Sequence, residues 1–241
     1  MPSTNGFKAR LQSQARRVPA QIVLVLLNHA VEDDAYEAVL YTLGTAIKKS
    51  AQRIDEACRV ADENGSTPPD YKEYVIDDET YLIEHLLGAA FVVCQAHITA
   101  VIQAARRARK HAITAGVPFP AFGDTDQEVR KFGAEFDEKY SKVEVLWALA
   151  NYFKHRDEWS KRTWSNPKNN ERMTVVVIKA AGLEPSTTGN LRTGAEALGN
   201  DEYSNMGVFI DIVRQWSVEV QKKTQEAFGA SSAKSGDHSA T

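Results

Sequence analysis

The sequence predicts an all-α protein, a bundle of long antiparallel helices. Three observations lead to this prediction: long stretches without proline, apolar residues that recur at helical spacing, and short intervening segments rich in proline, glycine or serine. The length of 241 residues suits one large domain. We expect a flexible segment at residues 1–20, a single helical domain at residues 21–228 and a short disordered tail at residues 229–241.

The first two long helices have the clearest patterns. Residues 34–64 contain no proline, and their apolar or small residues recur in steps of four and three, which predicts one stripe packed along the helix. The Gly-Ser-Thr-Pro-Pro segment at 65–69 ends this helix. A second helix is predicted at about 78–115. It is apolar on nearly all sides over 82–102, which is typical of the central helix of a bundle.

Shorter elements are predicted in the second half of the chain. After a loop at 118–123, Asp124 or Thr125 can cap a further helical stretch. A helix is predicted at about 140–159, and the Asn-Pro pair at 166–167 prevents its continuation.

The region that follows is ambiguous at one point. Residues 174–178 are β-branched, which favours a strand, but Gly182 resembles a helix C-cap, so we favour a helix at 172–181. Residues 184–205 are rich in loop-forming residues, and a last helix is predicted at about 205–228.

Composition excludes several classes of protein. Apolar residues make up 43% and charged residues 25% of the chain, which excludes gross disorder and a collagen-like protein. The net charge of -3 is not that of a protein that coats nucleic acid, although a local basic patch remains compatible with it. Cys58 and Cys94 form no CxxC pair and are interpreted as buried thiols of a cytoplasmic protein. The longest apolar runs, 22–27 and 86–94, are shorter than the roughly 20 residues that cross a membrane.

Several signatures of catalysis are missing from the sequence. It contains no Gly-Lys dipeptide and hence no P-loop, and neither a GxGxxG nor a GxSxG motif. None of the six histidines follows a glutamate by three residues, and there is no HExxH motif. We therefore expect neither a metal nor a cofactor.

The segment 146–159, Leu-Trp-Ala-Leu-Ala-Asn-Tyr-Phe-Lys-His-Arg-Asp-Glu-Trp, is the most informative for chemistry. At 100° per residue, one arc of the predicted helix is apolar. That arc carries Val143, Leu146, Leu149, Ala150 and Phe153. The opposite, polar side carries Glu144, Asn151, His155 and Glu158.

His155 is accordingly predicted to lie on a polar ridge beside Asn151, Lys154 and Arg156. Such a group can bind a phosphate and move a proton near neutral pH. The alternative is a solvated helix face with ordinary ion pairs one turn apart, such as Lys154 with Glu158.

The helical layout and the string Ala-Asn-Tyr-Phe-Lys-His at 150–155 resemble the HEPN superfamily of compact α-helical proteins from bacterial toxin–antitoxin and phage-defence systems. The signature of that superfamily is an arginine, usually followed by a polar residue, and then a histidine. Asn151 and His155 match the polar residue and the histidine, whereas Ala150 occupies the arginine position. The resemblance extends over residues 35–225.

The resemblance implies a metal-independent RNA endonuclease of toxin or phage-defence type. His155 would be the acid/base, Asn151 would orient it or the phosphate, and Lys154 or Arg156 would replace the missing arginine. It also implies a homodimer whose motifs meet in a cleft, and an antitoxin or other protein partner. The alternative is a catalytically inactive HEPN-like module that binds a protein or nucleotide partner.

A basic cluster lies at the end of the second predicted helix. Its cations, candidates for binding the RNA backbone, are Arg106, Arg107, Arg109 and Lys110. The alternative is a solvated helix end that complements the helix dipole. Arg106 and His111 also have the Arg-x4-His spacing, and Arg106 would supply the missing cation if it folded close to His155.

Other polar and aromatic residues have structural interpretations. Trp159 and Trp164 are candidates for stacking on bases, but core or interface packing is the favoured interpretation. Glu84, His85 and Gln95 lie among apolar neighbours, which predicts a buried polar cluster without a catalytic task.

Overall fold

The computed structural model describes residues 22–63, 69–114, 116, 118–119, 121–185 and 188–234. The described residues are mostly helical and contain no β-strand, only an isolated bridge between Glu135 and Ser141. The all-α prediction is confirmed. The helices are α1 (residues 22–32), α2 (Ala35–Glu63), α3 (Pro69–Thr114), α4 (Asp126–Arg130), α5 (Lys142–His155), α6 (Lys161–Ser165), α7 (Asn169–Ala180), α8 (Asn190–Ala197) and α9 (Gly207–Lys234).

Several helices differ from the prediction. The helix predicted at 140–159 ends at His155, where a 3-10 turn follows. Helix α3 begins at Pro69 rather than near residue 78, because proline is tolerated in the first turn, where its missing N–H has no intrahelical partner. Helix α8 lies in the segment predicted to be loop-rich. Helix α9 continues to Lys234, into the predicted tail, and residues 1–21 and 235–241 lie outside the described residues.

The ambiguous segment 172–181 is helical, as favoured, and forms part of α7. The helix ends where Gly182 adopts a φ of +83°, a left-handed conformation that glycine reaches without a steric cost. The β-branched residues Val175, Val177 and Ile178 are buried on this helix. Packing against α5 therefore overrides their preference for a strand.

The described residues fall into two compact units, and the single domain predicted at 21–228 stays a prediction. Among the described residues, the first unit takes 22–33, 97–133 and 214–234, and the second unit takes 34–96 and 134–213. The division runs through α3 and α9, so each of these helices contributes to both units.

The core of the first unit is organised around Trp216 of α9. This side chain is fully buried, and its indole Nε1 donates a hydrogen bond of 3.0 Å to the carbonyl oxygen of Val129. Helix α4, which carries Val129, begins with a capping box between Thr125 and Glu128, so the predicted cap at Thr125 is confirmed. Burial of the Trp216 ring thereby fixes a helix of only five residues.

The core of the second unit is organised around α5. Its apolar residues Leu146, Leu149 and Ala150 are fully buried, and the helix packs on α7 and α8. Gly194 of α8 lies directly against the Leu149 side chain, where a Cβ atom would clash. The backbone of α8 therefore packs directly against α5.

Helix α3 is, within the described part of the chain, the one helix long and apolar enough to cross a membrane by length and composition. However, 56% of its most apolar 18-residue stretch is buried inside the structure. That burial is typical of the core helix of a soluble protein.

Burial of the thiols leads to a labelling prediction. Cys94 is fully buried, and burial raises the pKa of its thiol to about 12, whereas Cys58 is half-buried rather than buried as the sequence suggested. Because the thiolate is the reactive form, we expect native protein at pH 8 to react with a maleimide at Cys58 alone. Mass spectrometry should find Cys94 labelled only after denaturation. Rapid labelling of a native Cys58→Ser variant would contradict this.

Candidate functional site

Helix α5 positions the residues predicted for the site. It begins at Ser141, whose hydroxyl accepts from the Glu144 N–H at 3.1 Å, while the Glu144 carboxylate accepts from the Ser141 N–H at 3.0 Å. Glu144 is buried, although it was predicted on the polar side of the helix, and the capping box provides a partner for its carboxylate. The helix ends at His155, and one 3-10 turn, Arg156–Glu158, follows.

Gln95 of α3 binds two of the predicted site residues. Its Nε2 donates to Asn151 Oδ1 at 2.9 Å, and its Oε1 accepts from Lys154 Nζ at 2.7 Å. Gln95 is buried, whereas Asn151 is half-buried and Lys154 is exposed. Asn151 and Lys154 are therefore brought together through the Gln95 amide, which binds the Oδ1 atom of one and the Nζ atom of the other.

Arg156 binds a second histidine, His85 of α3. Its guanidinium lies 3.0 Å from His85 Nε2, and His85 Nδ1 lies 2.9 Å from the carbonyl oxygen of Tyr81. A carbonyl only accepts and a guanidinium only donates, so these partners assign His85 the neutral tautomer with its proton on Nδ1. The guanidinium also lies over the Phe153 ring, 5.0 Å from its centroid, and is 19% exposed.

His155 is the most accessible of the predicted catalytic groups. Its side chain is 51% exposed, and its Nδ1 lies 3.4 Å from Glu158 Oε2 in the next turn. A carboxylate at this position favours a proton on Nδ1 and leaves Nε2 as the acceptor. Among the described residues no side chain contacts Nε2 by a hydrogen bond.

The residues of the predicted ridge therefore form three separate pairings within the second unit. Asn151 and Lys154 meet at Gln95, Arg156 meets His85, and the His155 ring meets Glu158. The predicted Lys154–Glu158 ion pair is replaced by the bonds to Gln95 and His155. Among the described residues no cation forms an ion pair or hydrogen bond with the His155 ring.

The basic cluster of α3 belongs to the first unit. Arg106 pairs with Asp126 at 2.6 Å, and Arg109 pairs with Asp124 while its Nε donates to the Phe122 carbonyl at 3.0 Å. The Arg106 guanidinium is thus engaged by Asp126 within the first unit, and its supply of a cation to His155 stays a prediction.

The tryptophans near the end of α5 form an aromatic cluster with Tyr152. The three ring centroids lie 5.7 to 6.0 Å apart in edge-to-face arrangements, and Trp164 is buried. The favoured core-packing interpretation is thus confirmed for Trp164. The Tyr152 hydroxyl accepts from Asn190 Nδ2 at 2.9 Å, and burial raises the pKa of this hydroxyl.

Glu84, His85 and Gln95 are polar residues that the sequence does not assign to the site. The available signal was their polarity on an otherwise apolar helix. Their partners lie far away in sequence, and spacing within one helix does not identify them. The structure assigns His85 and Gln95 to the end of α5, and Glu84 to α8.

In chemical terms, the end of α5 presents an accessible imidazole with a carboxylate partner, flanked by two cations held by α3. The chain matches no protein-family model, no curated protein and no solved structure. Among the described residues no group of three or more His, Cys, Asp or Glu side chains is placed to hold a metal ion.

Proposed function

We propose that the protein is a HEPN-like, metal-independent RNA endonuclease of toxin or phage-defence type, with His155 as its acid/base. The observation that carries the proposal is the half-exposed His155 ring with Glu158 at its Nδ1 and an unoccupied Nε2. An imidazole held in this way has the geometry of a general base. The resemblance of residues 150–155 to the superfamily signature supplies the substrate class.

In the proposed reaction, His155 Nε2 removes the proton from a ribose 2′-hydroxyl. The 2′-oxygen forms a bond to the adjacent phosphorus, the bond from phosphorus to the 5′-oxygen breaks, and the leaving 5′-oxygen takes up a proton from water. The His155 imidazolium then returns its proton to water. The products are a 2′,3′-cyclic phosphate and a 5′-hydroxyl end. Glu158 stabilises the imidazolium that forms after the first proton transfer.

The cation for the phosphate is proposed to come from a second copy of the chain. Ala150 occupies the arginine position, and the resemblance implies a homodimer whose motifs meet in a cleft. A homodimer whose α5 ends face each other would place the Lys154 or Arg156 of one protomer near the phosphate held by the other. We further propose a cytoplasmic location and an antitoxin or other protein that restrains the activity.

The test is cleavage of a mixed RNA pool by the purified protein in excess EDTA. We expect the parent protein to cut RNA and His155→Ala to lose about 100-fold or more of the rate, the contribution typical of a general acid/base. Because His155 is exposed, the variant should keep its helical circular dichroism and melting temperature. The cleaved ends should carry cyclic phosphates.

The matched control is His111→Ala, which removes the exposed histidine of the other Arg-x4-His match. It should cleave at the parent rate. Equal rates for the parent and His155→Ala, or cleavage of a pool with 2′-deoxyribose throughout, would contradict the proposal.

A second candidate is the catalytically inactive HEPN-like module that binds a protein or nucleotide partner. One observation favours it: the buried Gln95 amide occupies polar atoms of both Asn151 and Lys154. These bonds hold the end of α5 against α3, which is a structural role for Asn151 and Lys154. Absence of cleavage by the parent protein, together with an unchanged fold, would favour this candidate.

A further inference from the structure

The basic end of α3 forms one wall of a surface groove in the first unit, called here the α3 groove. Its volume is about 510 Å³, and its lining includes Arg106, Arg107, Arg109, Lys110, Ile113 and Asp124. The loop that carries Asp124 lies beside the helix and is held there by the Arg109 bond to the Phe122 carbonyl. The groove thus combines a cationic helix face with a fixed loop.

The four cations of the α3 groove fall into two pairs. Arg106 and Arg109 are held by Asp126 and Asp124, which fix the directions of their guanidinium groups. Arg107 and Lys110 are exposed and form no ion pair with any described residue. Four cations against two carboxylates leave an excess of two positive charges.

The helix dipole does not account for this excess. The C-terminal end of a helix corresponds to roughly half a negative charge, which a single lysine or arginine offsets. Arg107 and Lys110 lie three residues apart on α3, where side chains are neighbours on one surface. Both are therefore available to one anion in the groove.

The surroundings of these cations favour a compact anion over an extended one. Asp124 lines the groove and Asp126 holds Arg106 beside it, so a phosphodiester chain that continued past the cations would meet negative charge. A volume of about 510 Å³ lies in the range of pockets for small ligands. Ile113, which is exposed, adds an apolar surface at one end.

We propose that the α3 groove binds a small polyphosphate, such as the triphosphate chain of a free nucleotide. Arg107 and Lys110 bind the phosphate oxygens directly, and Arg106 and Arg109 add positive charge from fixed positions. This proposal goes beyond the RNA endonuclease proposed above and does not depend on it. It replaces the RNA-backbone interpretation of the same four cations with a ligand that fits between the flanking carboxylates.

The test is isothermal titration calorimetry of the full chain with inorganic triphosphate and with ATP, in EDTA at fixed salt. We expect both ligands to bind, and the double variant Arg107→Ala/Lys110→Ala to bind each at least about 10-fold more weakly, because two charge-assisted contacts are lost. Equal affinities would assign recognition to the phosphates. Tighter binding of ATP than of triphosphate would indicate an additional contact between the nucleoside and Ile113.

The charge-matched control is Lys131→Ala/Lys222→Ala, which removes two cations of the first unit that do not line the groove. Its affinities should stay within about 2-fold of the parent values, since long-range charge effects at the surface are screened by salt. All four substitutions leave the core untouched, so circular dichroism should be unchanged in both variants.

Three outcomes would overturn the proposal. They are no binding of either ligand at millimolar concentration, equal weakening by the two double variants, and tight binding of an RNA oligonucleotide that triphosphate does not displace. RNA cleavage is a separate readout. If the parent protein cleaves RNA but binds no triphosphate, only the proposal for the α3 groove is refuted. If it binds triphosphate but cleaves no RNA, only the proposed endonuclease activity is refuted.

Discussion

Replacement of Trp216 by alanine is expected to lower the free energy of unfolding by about 3–5 kcal/mol, the range for a fully buried tryptophan. The ring is inaccessible to solvent, so its removal leaves a large cavity in the first unit. The carbonyl of Val129, which accepts from the indole at 3.0 Å, also loses its partner. Urea unfolding followed by far-UV circular dichroism measures the change.

Two further variants of α9 separate the effect of the cavity from that of the lost hydrogen bond. Trp216→Phe fills most of the cavity but still removes the indole donor, so we expect a smaller loss of about 1–3 kcal/mol. Val218→Ala changes an exposed apolar residue two positions away and should stay within about 0.5 kcal/mol of the parent. An unfolding midpoint of Trp216→Ala that equals that of Val218→Ala would show that Trp216 does not organise this core.

Periodicity was a reliable guide where a helix carries its own apolar stripe. The prediction of α2 at 34–64 agrees with the observed Ala35–Glu63, because its spacing and its flanking breakers are both local properties. Helix α7 was predicted despite its β-branched run, since Gly182 marked its end. In each case the decisive signal lies within the helix or next to it.

Helix α8 shows why a local pattern was insufficient elsewhere. Gly189 precedes it at a φ of +89° and offers no side chain to cap the helix. The first amides are instead satisfied by Glu84, more than a hundred positions earlier in the chain. A helix whose cap comes from another helix looks like a loop in its own sequence.

The candidate site illustrates the same limit at the level of side chains. Helical spacing correctly predicted an exposed His155 with Glu158 nearby. It could not predict that Gln95 would bind Asn151 and Lys154, because which residue of α3 faces α5 depends on how the helices pack. Gly88 contributes to that packing, since the Phe153 ring lies directly against it and leaves no space for a Cβ atom.

Replacement of Glu84 by alanine is expected to lower the free energy of unfolding by about 2–4 kcal/mol. Its carboxylate is buried and accepts from the N–H groups of Leu191 at 3.2 Å and Arg192 at 3.1 Å, and from Arg192 Nε at 3.3 Å. Alanine would leave the first turn of α8 without an acceptor and Arg192 without its partner. Urea unfolding measures the loss, and hydrogen exchange should locate it at the start of α8.

The variant Glu84→Gln separates the contribution of the Glu84 charge to stability from that of its hydrogen bonds. Glutamine keeps one acceptor for the amides but loses the negative charge that favours a helix N-terminus, so we expect roughly half the loss seen with alanine. Glu73→Ala, which removes an exposed carboxylate from the same helix α3, should change stability by less than about 0.5 kcal/mol. If Glu84→Ala were as stable as Glu73→Ala, the start of α8 would not depend on this carboxylate. The reason for a helix in a loop-like sequence would then lie in the packing of Gly194 against Leu149 instead.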